Sequence, residues 1–207
     1  MKIRLTLILL TTLNIICFKN QSQESTKKWT AQIGLGLNSP ANSGFVTGYE
    51  AKSINLPTVN LGIQHFFKPQ LGARLDYGFN RFKNDDTSSE FKTNYSRINV
   101  QFVYNPTKSL GFLPERGSIL LHAGPGYSFV RAIGTNSGNK TSFFNVMGGI
   151  EISYAIDRYI SLYADVSYIA GLGKELEFLP ENFGLFNGSL TTITFGISFA
   201  LSGCQYC

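Results

Sequence analysis

Charge is scarce in this chain. Acidic and basic residues together make up 15% of it, against roughly 25% in soluble globular proteins, which argues against both disorder and an ion-pair-rich helical bundle. Three of the 18 basic residues, Lys2, Arg4 and Lys19, fall in an N-terminal stretch free of acids, leaving 15 against 13 and a balance of +2. A nucleic-acid footprint is therefore not expected. Long apolar runs are also missing: the longest, Leu5 to Phe18, has 14 residues, below the roughly 18 that a spanning helix needs. With Lys2 and Arg4 before it and the polar stretch Lys19 to Lys28 after it, this run reads as a secretory signal peptide. Cleavage is placed after Ser22, giving residues 1–22 as the leader and 23–207 as one mature domain. Cysteine is rare too, with three in all. Cys17 lies in the leader after Ile16, where lipid attachment would need a small residue. Cys204 and Cys207 form a C-x-x-C at the extreme C-terminus without the helix start of a redox motif or the further ligands of a metal site, and are read as a small periplasmic disulfide or an inert tail.

What is present is alternation. Eight segments of about ten residues each carry apolar residues at every second position, separated by turn-rich stretches. Trp29 to Asn38 sets Trp29, Ala31, Ile33, Leu35 and Leu37 against Thr30, Gln32, Gly34, Gly36 and Asn38. The pattern recurs in Thr58 to Phe67, Leu71 to Asn80, Tyr95 to Asn105, Ile119 to Val130, Phe143 to Tyr154, Tyr159 to Ile169 and Leu190 to Leu201. The polar face holds most of the glycines, while the apolar face carries no Lys, Asp or Glu along its middle. A soluble barrel needs the reverse, an apolar interior and a polar exterior. Strands of this length match the roughly 9 to 11 residues that cross a bilayer, and closure of eight leaves no open edge. The expected fold is all-β, an eight-stranded antiparallel up-and-down transmembrane β-barrel.

Aromatic residues collect at the segment ends, as two interfacial girdles require. Trp29, Phe67, Tyr104, Tyr154 and Phe199 mark one end, and Tyr77, Phe79, Tyr127, Phe129, Phe144 and Tyr168 the other. The connections Lys68 to Gln70 and Ala155 to Arg158 are tight. Ser39 to Pro57, Arg81 to Asn94, Arg131 to Ser142 and Ala170 to Ser189 are long, so the latter are assigned to the outside. Pro106 to Gly117 breaks the rule as a twelve-residue connection on the short-turn side.

The chain over Lys28 to Leu201 resembles the N-terminal eight-stranded barrel of the outer-membrane protein A family of gram-negative bacteria. The resemblance rests on Ile33-Gly-Leu-Gly-Leu-Asn38, His122-Ala-Gly-Pro-Gly-Tyr-Ser128 and Gly148-Gly-Ile-Glu-Ile-Ser-Tyr154. It implies location in the cell outer membrane after secretion across the inner one. The last segment is similar to the C-terminal insertion signal of such barrels, with Thr194, Gly196, Phe199 and Leu201 in the signal positions, which implies the outer-membrane assembly machinery as a partner during insertion. Outer-membrane lipid and lipopolysaccharide would surround the barrel. Relatives often continue into a peptidoglycan-binding domain; this chain stops six residues after the eighth segment, so that anchoring role is not carried over.

Five charged residues take lumen parity: Arg74, Asp76, Arg97, Glu151 and Asp165. A lone charge in a low-dielectric interior is prohibitive, so opposite signs are expected to pair in a network that fills the barrel. The alternative is a gate across a narrow pore. Lipid A deacylases and acyltransferases share this barrel size, but a hydrolytic dyad needs Ser and His within bonding reach. His65 faces outward near a segment end with no Ser two residues away, and His122 faces the lumen about 20 Å along the strand from Ser128. The chain is thus expected not to be an enzyme and to use no cofactor or metal. Asp85, Asp86 and Glu90 in the second long loop read as solvated. The expected role is structural, or that of a subunit with an envelope-protein partner; a narrow channel and a loop-borne adhesin or receptor are the alternatives.

Overall fold

A computed structural model describes residues 28–201. The leader assigned to residues 1–22, together with Cys17, Cys204 and Cys207, lies outside them. Eight strands follow in order: β1 (Trp29–Pro40), β2 (Asn55–Lys68), β3 (Leu71–Lys83), β4 (Lys92–Tyr104), β5 (Gly117–Ile133), β6 (Lys140–Ala155), β7 (Ile160–Gly171) and β8 (Leu190–Ala200). Each pairs antiparallel with its sequence neighbour, and β8 returns to β1 to close the barrel. Closure satisfies every strand edge within the wall, the condition for crossing lipid. No helix among the described residues is long and apolar enough to cross a membrane.

Alternation decides the faces. Leu35, Phe144 and Phe195 point outward at 63%, 68% and 63% exposure, while Gln32, Arg74, Arg97, Asn99 and Glu151 point inward and are buried. Large side chains exposed to that degree over a whole barrel wall require hydrocarbon as the neighbour. The β4–β5 ladder is interrupted between Asn99↔Gly126 and Phe102↔Ala123, beside Pro125, which has no N–H to donate.

Every strand but β8 runs further at its outer-loop end than the alternation suggested, and β5 and β6 are the longest. β5 and β6 have 17 and 16 residues, and their pairing continues to Arg131↔Lys140, so the long loop read at Arg131 to Ser142 shrinks to residues 134–139. Polar residues there still pair because a ladder needs backbone groups, not apolar side chains, once the strand has left the membrane. The connection at Pro106 to Gly117 is held instead by a short turn of 3₁₀ helix, Thr107–Ser109, and by Thr107, whose hydroxyl accepts from the Ile119 N–H at 3.0 Å. β8 ends at Ala200, one residue short of the expected segment.

Candidate functional site

The lumen is filled in layers. At the short-turn end Phe66, Val103 and Leu120 turn inward and form a small apolar floor. Above it Arg74 donates to Glu151 Oε2 at 2.6 Å and to Gln64 Oε1 at 2.9 and 2.7 Å, while Gln32 Nε2 donates to both Glu151 oxygens at 3.1 Å. The next layer holds Arg97, whose Nη1 donates to Asp76 and, at 3.0 Å, to Asn99; its Nη2 reaches Asn60 at 3.3 Å. Amides carry the chain of bonds upward from Asn99 to Asn145 at 2.6 Å, and from Asn145 to Ser128 at 2.8 Å. All these side chains are nearly or fully inaccessible, so each charge is both desolvated and paired. A residual cavity of about 10 Å³ beside Gln32, Arg74, Asp76 and Asp165 has room for about one water.

Glycine makes this density achievable. At Gly78 an added Cβ would come within 2.7 Å of Arg97 Nε, and at Gly149 within 2.6 Å of the His122 ring, so both positions are space reserved for a neighbour's head group.

The five lumen charges do not form one network of opposite signs. Arg74 pairs with Glu151 and Arg97 with Asp76, but Asp165 accepts from His122 Nε2 at 2.7 Å and from the Ser167 hydroxyl at 2.5 Å. Three acids face two arginines, and His122, which sequence parity placed in the lumen, supplies the third partner. The supporting amides Gln32, Gln64, Asn60, Asn99 and Asn145 carried the same lumen parity and were the available signal for the rest.

The layer above was not expected. Inward-facing Phe82, Tyr95, Val130, Ala132, Phe143, Met147, Ile169 and Leu190 meet Phe45 and Ala51 from the first outer loop (residues 41–54), Phe91 from the second (84–91) and Leu185 and Phe186 from the fourth (172–189). Phe186 lies at the centre, with ring centroids 4.8 Å from Phe45, 5.1 Å from Phe82 and 6.0 Å from Tyr95. Tyr95 hydrogen-bonds Ser128 at 2.7 Å, joining this plug to the polar column. Backbone bonds from Asn187 to Gly44 at 3.0 Å and from Ala41 to Ser189 at 2.9 Å clamp the two loops together over the mouth. Lumen parity continued past the third segment's expected end to Phe82 and reached Ile169 at the last step of the seventh, and apolar residues at those steps were the overlooked sign of a plug.

Residues of the lower girdle lie where the alternation placed them. Trp29, Phe67, Tyr104, Tyr154 and Phe199 are all exposed, with Trp29 against His65 at 4.3 Å between centroids. The upper set comes only from β3 and β5–β7: Tyr77 and Phe79, Tyr127 and Phe129, Phe144, and Tyr168. It forms an arc over one side, tightest where Tyr127 lies 5.1 Å from Phe129 and 5.0 Å from Phe144. In β8 the strand reading puts Thr194 and Gly196 inside and Phe199 outside, with Leu201 just beyond the strand and its N–H on the Trp29 carbonyl at 2.9 Å. Of the loop acids, Asp86 pairs at the surface with Lys52 at 3.0 Å.

Solved structures with the same fold include Neisserial surface protein A (14% identity, TM-score 0.55, covering 84% of this chain and 96% of that one) and OprG from Pseudomonas aeruginosa (13%, 0.57, 83% and 95%). The N-terminal β-barrel domain of Pseudomonas aeruginosa OprF is a third (12%, 0.50, 82% and 96%). At these identities the likeness is one of fold. No curated protein matches the chain significantly in sequence. The outer membrane protein beta-barrel domain, as a family model, matches residues 8–200. A closed eight-stranded wall, apolar outside and polar within, and a family match over nearly the whole length lead to one conclusion: the chain belongs to the outer membrane protein beta-barrel domain family and resides in the cell outer membrane.

Proposed function

We propose that the protein is a non-conducting, non-catalytic barrel with a structural role in the envelope, serving an envelope-protein partner through its outer loops. The observation that carries this reading is the filling of the lumen at three heights: an apolar floor, a hydrogen-bonded polar column and an aromatic plug clamped by two loops. A barrel of eight strands has an interior just wide enough for side chains, and here they occupy it. His122, Asp165 and Ser167 meet in the lumen, but the hydroxyl and the imidazole both bond to the carboxylate, so the hydroxyl is directed at the weakly basic Asp165 and not at the imidazole that a hydrolytic dyad needs. That arrangement favours a buried polar support over a hydrolytic centre.

Planar-bilayer recording tests the reading. The purified protein should show no discrete openings, and neither should a Phe45→Ala/Phe186→Ala variant, because the polar column below the plug stays in place. Reproducible unitary currents from the wild type would overturn the proposal, and currents gained only by the variant would make the plug a gate. Copurification from gently solubilised membranes addresses the partner: a stoichiometric envelope protein is expected, and a solitary barrel in every mild detergent counts against the subunit role.

A further inference from the structure

The outward face at the upper rim carries a pattern of charge that the barrel itself does not explain. Pairing places Arg81 opposite Asn94, Asn94 opposite Arg131, and Arg131 opposite Lys140, one row across four adjacent strands. One step higher, Lys83 stands opposite Lys92. Like charges directly opposite each other destabilise an antiparallel pair, and here that happens twice within β3–β6. Among the described residues, none of these five cations forms an ion pair with a carboxylate.

The rows below are of opposite character. Phe79, Ser96, Phe129 and Ser142 lie in register immediately under the cationic row, and Tyr77, Ile98, Tyr127 and Phe144 under those. Between the two levels runs a groove of about 560 Å³ whose lining includes Phe79, Phe129, Asn94, Arg131 and Lys140. Arg81 is held at its edge, with Nε donating to Asn94 Oδ1 at 2.9 Å and the guanidinium 5.7 Å from the Phe79 ring centre. This is also the side where the upper aromatic arc is densest.

We propose that this groove binds the phosphorylated sugar headgroup of an outer-leaflet glycolipid. Its phosphates would sit between Arg131 and Lys140 with Arg81 beside them, and its acyl chains would descend over Phe129, Tyr127 and Phe144. Phosphate relieves the repulsion between facing cations and suits the planar guanidinium. A free phosphate would use the cations but leave the aromatic rows unused; a glycolipid uses both, because the aromatic rows run straight into the lipid-facing wall. The site lies outside the wall, so it stands whether or not the lumen conducts.

Native mass spectrometry of the refolded barrel in maltoside micelles, titrated with bis-phosphorylated lipid A, tests this. One lipid should be retained, and Arg131→Gln/Lys140→Gln should weaken retention by about tenfold or more, the loss expected for one or two charge-assisted bonds. Lipid A stripped of its phosphates should bind the wild type about tenfold more weakly, and Lys68→Gln/Arg158→Gln at the opposite rim should bind like the wild type. In lipid-free micelles the thermal midpoint of Lys140→Gln should not fall below that of the wild type, since a repulsion has been removed; this shows the variant folded. Equal binding by the Arg131/Lys140 double variant, or equal binding of the phosphate-free lipid, would overturn the site. Competition by inorganic phosphate at concentrations comparable to the lipid would overturn the glycolipid as its occupant.

Discussion

Replacing Arg97 with alanine probes the lumen at its most buried point. Arg97 is fully inaccessible and Asp76 is 5% exposed. Truncation removes the guanidinium and leaves the Asp76 carboxylate in the interior with its main partner gone, a change that costs about 3–5 kcal/mol when one member of a buried pair is deleted. Asn60 and Asn99 lose a donor at the same time, and the space kept open by Gly78 becomes a void. Water entering that void would draw the cost towards the lower end. Equilibrium urea unfolding in micelles measures the effect, with the single tryptophan, Trp29 in the lower girdle, as a fluorescent reporter of leaving lipid. A second variant, Arg97→Met/Asp76→Asn, separates charge from volume: with no unpaired charge left, it should recover more than half of the loss. Conductance should stay absent in both, because the floor at Phe66, Val103 and Leu120 and the plug around Phe186 are untouched. A loss below about 1 kcal/mol, the range of an exposed pair, accompanied by altered single-channel behaviour, would refute the packed-lumen argument.

Two further outcomes follow from packing and from the last strand. Gly149→Val should destabilise the barrel by about 1–3 kcal/mol, the usual cost of overpacking a filled interior, because the new side chain strikes the His122 ring and the Ser167 hydroxyl and forces the His122–Asp165 bond apart; urea midpoints measure it, and a midpoint equal to that of the wild type would contradict the close approach. Phe199→Asp/Leu201→Asp places two carboxylates on the lipid-facing side near the interface, and the amount of heat-modifiable barrel recovered from the outer membrane should fall severely; unchanged recovery would remove these two residues from the insertion signal.

Much of this molecule could be read from the chain alone because the side-chain period of a strand is a local property. Arg74 and Asp76 must share a face, and Leu75 must oppose them, wherever the strand is placed. Eight such segments, apolar on the glycine-poor face, already imply a closed wall in lipid. Partnership is not local. Asp165 and His122 are 43 residues apart, and Gln32 and Glu151 119 apart; which meets which depends on the register of eight strands and on how closure brings β1 and β3 across from β6. The same holds for the plug, where Phe45 and Phe186 come from loops whose sequence has no period to follow, and for the cationic row, which exists only because pairing aligns Arg81, Arg131 and Lys140 at one height. Sequence determined the two faces and the class of the wall, since each is set by alternation within a strand. The lumen pairs, the closed mouth and the rim groove were decided by tertiary structure, since each needs residues from strands or loops that only the closed barrel brings side by side.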